Sequence, residues 1–113
     1  MKKLLFVFGT RPEAIKLAPL VHLCYEYKEF DVKVCLSGQH NEMLQQVMDF
    51  FELKADYNLH LMKPDQTLFD ITSRGLHEIQ SVINEFNPDL VIVQGDTTTT
   101  FVAALAACFG EQE

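Results

Sequence analysis

The amino-acid sequence predicts an α/β fold, a Rossmann-like open parallel sheet flanked by helices, and three observations carry that reading. Apolar runs rich in β-formers recur at 4–8, 32–38 and 90–93. Segments with helical spacing lie between and after them. The joins are short and punctuated by glycine or by Asn-Pro-Asp. Strands that alternate with helices across such joins pair in parallel through right-handed crossovers. Ligands of such sheets bind beyond the carboxyl ends of the strands.

The first run, LLFVF at 4–8, is continuously apolar and stops at Gly9, as expected of a central strand covered on both faces. From Thr10 the spacing becomes helical, with Ile15, Leu17, Ala18, Leu20, Val21 and Leu23 forming a broad apolar stripe toward Tyr25. Thr10 and Glu13 have the spacing of a capping box, and Pro12 falls in the first turn, where a missing N–H costs little. Pro19 lies deeper, and a kink or an end is expected near Ile15 to Pro19. VKVCLSG at 32–38 alternates, with Val32, Val34 and Leu36 on one side and Lys33 and Cys35 on the other, which places this strand nearer an edge. Gly38 ends it.

Met43, Leu44, Val47, Met48 and Phe51 mark a second helix, PDQT at 64–67 a turn, and Leu68, Ile71, Leu76, Ile79, Val82, Ile83 and Phe86 a third helix. NPD at 87–89 stops that helix, and LVIV at 90–93 reads as another buried strand leading to QGDTTTT and a last helix. Residues 101–109, FVAALAACF, are apolar around the whole circumference, so this helix wants cover on all sides. The expectation is that the natural protein continues past Glu113.

Composition narrows the function. A chain of 113 residues, 48% hydrophobic, fits one globular domain. Its net charge of -7 repels a nucleic-acid backbone or an anionic membrane surface, so an anionic ligand must be held by a local site. Cys24, Cys35 and Cys108 lie far apart in apolar surroundings, which reads as buried free thiols in a cytoplasmic protein. MKKLLFVF begins like a signal peptide but has too short an apolar run and no cleavage site behind it. No segment approaches the roughly 20 apolar residues that span a bilayer.

Candidate site residues gather at the two glycine turns, Gly9 and Gly95. Gly9 allows a tight turn, the following helix start offers N–H groups and partial positive charge, and Arg11 adds a fork of donors matched to phosphate oxygens. Lys16 faces the same site only if the helix leans across the crevice. Both cations have a plainer reading, as solvated groups or partners of Glu13 and Glu26. Asp96 follows a strand and a glycine, where it would serve as general base, metal ligand or helix N-cap, a job that Thr97 and Thr98 fill equally well. Gln39 and His40 stand in a polar loop at a strand end, within reach of a ligand or simply solvated. His22, His60 and His77 have no partners at metal-ligand spacing, and no metal site is assigned.

Together, FGTRPEAIKLAPL, GQHNEML, QTLFDITSRGL and NPDLVIVQGDTTTTFVAALAA closely resemble the non-hydrolysing UDP-N-acetylglucosamine 2-epimerases, from about Lys3 to Phe109. The resemblance implies two Rossmann-like domains in a glycosyltransferase-B-like architecture, with residues 1–113 forming most of the first and the UDP-binding domain absent. It implies a UDP-sugar substrate, no cofactor, and a homodimer when complete. The implied chemistry removes the C2 proton with anti elimination of UDP, giving a 2-acetamidoglucal, then adds UDP back after protonation from the opposite face. Asp96 matches a family residue implicated in catalysis and is the expected acid/base within this chain. Departing UDP takes negative charge onto its diphosphate, so the cations Arg11 and Lys16, with Gly9 and Thr97, are the expected substrate-binding residues, and Gln39 and His40 match an allosteric loop of the family.

Departures qualify the resemblance. The His-Val-Glu-Ala-Gly motif and the downstream glutamate and histidine of the family are absent, so this chain alone is expected to be inactive. Glu42 and Asp65 stand where activated members have uncharged or basic residues, which opposes a diphosphate at the allosteric loop. A hydrolysing relative shares these motifs, and a non-catalytic nucleotide-sugar or partner-binding module is a further alternative.

Overall fold

The computed structural model describes residues 1–38, 42–61 and 65–94, with 103 and 105. Strand β1 (Lys2–Phe8) is followed by α1 (Arg11–Tyr25), β2 (Phe30–Leu36), α2 (Glu42–Phe50), β3 (Tyr57–Asn58), α3 (Leu68–Phe86) and β4 (Leu90–Ile92). All strand pairs are parallel and the spatial order is β3-β2-β1-β4. The chain steps outward from β1 through β2 to β3, then returns to the other side of β1.

Alternation along β1 decides what each face holds, because successive side chains point to opposite sides. Leu4, Phe6 and Phe8 join Val34 and Leu36 under α1 and α2, while Leu5, Val7 and Cys35 pack under α3 with Ile79, Val82 and Phe86. Phe6, Phe8 and Leu5 are fully buried, each contributing about 2–3 kcal/mol by leaving water. The expected central strand is therefore found, with β2 and β4 as its neighbours.

Three expectations need correction. Strand β2 is not an edge: Tyr57 and Asn58 pair with Cys35 and Leu36, and Cys35 is buried under α3. The alternation of Tyr57, Leu59 and Leu61 was the available signal for β3, weak because the strand has only two paired residues. Strand β4 is not buried on both faces; among the described residues it pairs with β1 alone, and Leu90 is 55% exposed. The buried stripe of α1 is Ala14, Leu17, Ala18, Val21 and Cys24, whereas Ile15, Leu20, Leu23 and Tyr25 are exposed. Helical geometry admits one arc of about 100° to the core, and the larger apolar set spans more than that. Helix α1 runs through Pro19, which lies inside it on its exposed side, so of the bend or end expected there the end is excluded.

The remaining boundaries follow local chemistry. Helix α3 starts with a capping box of Thr67 and Asp70 and ends at Asn87, whose φ of 56° is the left-handed stop that asparagine tolerates. Asp89 then ties β4 to the start of β1, donating its N–H to the Lys3 carbonyl and accepting the Lys3 N–H. Ala103 and Leu105 are helical, with Ala103 buried against the α3-side cluster, and the rest of the expected last helix lies outside the described residues.

Candidate functional site at the carboxyl edge of the sheet

Strand order reverses between β1 and β4, so the crevice expected of this topology opens beyond their carboxyl ends. The start of α1 forms its described wall. Thr10 caps the helix as expected: its Oγ1 accepts the Glu13 N–H at 3.4 Å, and Glu13 Oε1 accepts the N–H groups of Gly9 at 2.9 Å and Thr10 at 3.2 Å. The Glu13 carboxylate is 5% exposed, held in place by these charge-assisted bonds.

This arrangement corrects the picture of a helix start with open N–H groups. Gly9, Thr10 and Glu13 donate inward and Pro12 has no N–H, which leaves Arg11 as the residue of this turn whose backbone N–H stands outside the cap. Its side chain is exposed at the helix start. Lys16 is also exposed, but lies five residues on, about 140° around the helix from Arg11. Among the described residues neither cation is tied up in an ion pair, and Glu13 is committed to the cap instead.

Gly9 and Gly38 meet at the ends of β1 and β2. A Cβ on Gly9 would stand 2.6 Å from Ser37 Oγ and 2.8 Å from the Gly38 nitrogen, and a Cβ on Gly38 would overlap the Gly9 carbonyl oxygen. Neither glycine has a positive φ. The need for glycine is thus close approach of two backbones rather than the tight turn expected of Gly9. Ser37, fully buried, donates its N–H to the Phe8 carbonyl and accepts the Leu61 N–H at 2.9 Å, extending the ladder past both strand ends.

A further cation reaches this edge from α3. Arg74 Nη2 donates to the carbonyls of His60 at 3.0 Å and Leu61 at 3.1 Å. Sequence reasoning missed Arg74 and the Gly9–Gly38 contact, because each is a contact between residues distant in the chain. Asp96 and Thr97, and Gln39 and His40, lie outside the described residues; in sequence they follow closely on Gln94 and on Gly38.

Burial pushes the Cys35 thiol up to about 12, with the nearby Glu78 carboxylate adding to the shift. Cys24 is raised by burial too. Both are buried and free, as expected, and Cys108 lies outside the described residues. Among the described residues, no group of three His, Cys, Asp or Glu side chains stands together to hold a metal, and no helix is long and apolar enough to cross a membrane.

Parallel strands in this order, helices on both faces and a cationic helix start at the carboxyl edge define a Rossmann-type ligand-binding α/β fold. Comparison with known proteins is more specific. The family profile described as UDP-N-acetylglucosamine 2-epimerase matches residues 22–111. The enzyme of that name from Neisseria meningitidis serogroup A is 51% identical over 107 residues, and that of Salmonella borreze 53% identical over 109. The crystal structure of the Neisseria meningitidis enzyme bound to UDP-GlcNAc superposes with a TM-score of 0.91 over 96% of this chain, at 50% identity. The Methanocaldococcus jannaschii enzyme in complex with UDP-GlcNAc and UDP superposes with a TM-score of 0.86 at 32% identity, again over 96% of the chain. This chain belongs to the UDP-N-acetylglucosamine 2-epimerase family. It spans 95–96% of its own length in the two sequence matches but only 29% of either relative, and 29–30% of the two solved chains.

Proposed function

We propose that the chain forms most of the N-terminal domain of a UDP-N-acetylglucosamine 2-epimerase, a two-domain, glycosyltransferase-B-like enzyme whose UDP-sugar lies between the domains. The observation that carries this reading is the match in sequence and fold, at 50% identity and a TM-score of 0.91, to an epimerase whose structure holds UDP-GlcNAc. The complete enzyme interconverts UDP-N-acetylglucosamine and UDP-N-acetylmannosamine. It acts in the cytoplasm as a homodimer and supplies precursors for surface polysaccharide. The 113-residue chain alone is inactive.

The reaction asks for two things. A base removes the C2 proton as the C1–O bond to UDP breaks, and the departing diphosphate gains negative charge. Asp96 is proposed as an acid/base at C2. Arg11 is proposed as the cation that steadies the diphosphate more in the transition state than before it. Its exposed place at the start of α1, where the N–H groups of Gly9 and Thr10 face inward, supports this role. Lys16 contributes longer-range positive charge, Gly9 keeps the wall thin, and Thr97 binds the substrate. Gln39 and His40 are proposed to touch a second nucleotide sugar.

The test is turnover of UDP-N-acetylglucosamine by the complete protein beside this chain, with product analysis. Arg11→Ala is expected to lower kcat by about 100-fold, and Asp96→Asn by at least as much. Formation of UDP-N-acetylmannosamine supports the epimerase; release of UDP and free N-acetylmannosamine means a hydrolysing enzyme; binding without either product means a non-catalytic module.

A further inference from the structure

Arg74 has no part in the function proposed above, yet its contacts are specific. It projects from α3, and one nitrogen, Nη2, bonds two consecutive carbonyls just past β3, those of His60 and Leu61. His60 is exposed and has a φ of 51°, a left-handed conformation that a residue with a Cβ keeps only where its surroundings hold it. Leu61 is 2% exposed and donates its N–H to the Ser37 carbonyl. Ser37 adjoins Gly38, which presses on Gly9 at the start of the Arg11 helix. The contacts therefore run without a break from α3, through the His60 turn and the end of β2, to the wall of the crevice.

We propose that Arg74 is a positioning residue: by holding the His60–Leu61 turn it fixes the carboxyl edge against which the nucleotide sugar binds. This rests on the function proposed above. Arg74 acts on affinity rather than on the chemical step, because it holds backbone that lines the edge and touches no reacting atom. A merely structural arginine would lower stability and, through a smaller folded fraction, the apparent kcat, and leave KM unchanged.

One nitrogen makes both bonds, so lysine, with three donors on a single nitrogen one bond nearer the backbone, keeps the donors for them, whereas methionine keeps the apolar stem and has no donor. In the complete protein, Arg74→Met is expected to raise KM for UDP-N-acetylglucosamine about tenfold with kcat within about twofold of the parent, and Arg74→Lys to bring KM back within about threefold. Amide exchange at Leu61 should quicken about tenfold in the methionine variant and stay near the parent rate in the lysine variant. A parental KM in Arg74→Met overturns the proposal, as does a fall in kcat and thermal stability that is equal in both variants. If the parent turns over no UDP-N-acetylglucosamine, the reading of the function fails instead. In that case slow Leu61 exchange in Arg74→Met overturns the anchoring as well, and fast exchange supports it.

Discussion

Helices α1 and α3 begin with the same device in opposite surroundings. Each has a threonine N-cap and an acidic residue three positions on, reciprocally bonded. The α1 box is pressed under the crowded ends of β1 and β2, and its Glu13 is 5% exposed and also takes the Gly9 N–H. The α3 box stands in solvent, with Thr67 and Asp70 both exposed. One local rule therefore does two jobs. At α3 it only starts a helix. At α1 it also turns the N–H groups of Gly9, Thr10 and Glu13 inward at the crevice wall. The faces differ in the same sense. Each side holds a buried thiol, Cys24 on α1 and Cys35 under α3, but the α3 side also holds a Glu78 oxygen, Oε2, that is buried with no hydrogen-bond partner among the described residues.

The largest expected effect tests the crowding itself. Gly38→Ala places a methyl group on the Gly9 carbonyl oxygen, and the domain should lose about 3 kcal/mol in urea unfolding of the complete protein. A loss below about 1 kcal/mol would mean that the two strand ends separate easily, and the contrast between the helix starts would collapse. Glu13→Ala comes next. It strands the buried Gly9 N–H and should cost about 2 kcal/mol, with faster exchange at that amide as its direct signature.

The third test concerns the α3 side. The Cys35 thiol is raised from 9.0 to about 12 in the folded protein, so the folded state holds its proton more tightly than the unfolded chain. The resulting stability is complete below pH 9 and is lost as pH rises toward about 12, at about 1.4 kcal/mol per pH unit. Cys35→Ala should flatten that alkaline limb in a stability–pH curve, and an unchanged slope would remove the thiol from the account. The smallest effect is expected at the exposed box, where Asp70→Ala should cost about 0.5–1 kcal/mol. If it cost as much as Glu13→Ala, burial would not be what separates the two helix starts.

Much of this was legible in residue order. The continuous apolar run before Gly9, the Thr10–Glu13 spacing and the Asn-Pro-Asp stop are local signals, and the structure has a strand, a capping box and a left-handed stop where they stand. Arg11 could be picked out as a site candidate because its place at a helix start is also local. The errors share a cause. Strand β3 is held by β2 rather than by its own propensity, and β4 is half-exposed because burial depends on which elements lie over and beside it. The reach of α1's apolar stripe was overestimated, since a helix offers the core only the arc that its neighbours cover.

The sequence by itself determined β1, β2, β4 and the helices between them, the cap at Thr10 and the family, because each is written in neighbouring residues or in whole motifs. Only the tertiary structure decided that Glu13 faces inward to Gly9, that Gly38 must be glycine, and that Arg74 holds the turn after β3. Those facts depend on backbones brought together from distant parts of the chain, and no periodicity along a single segment records such a meeting.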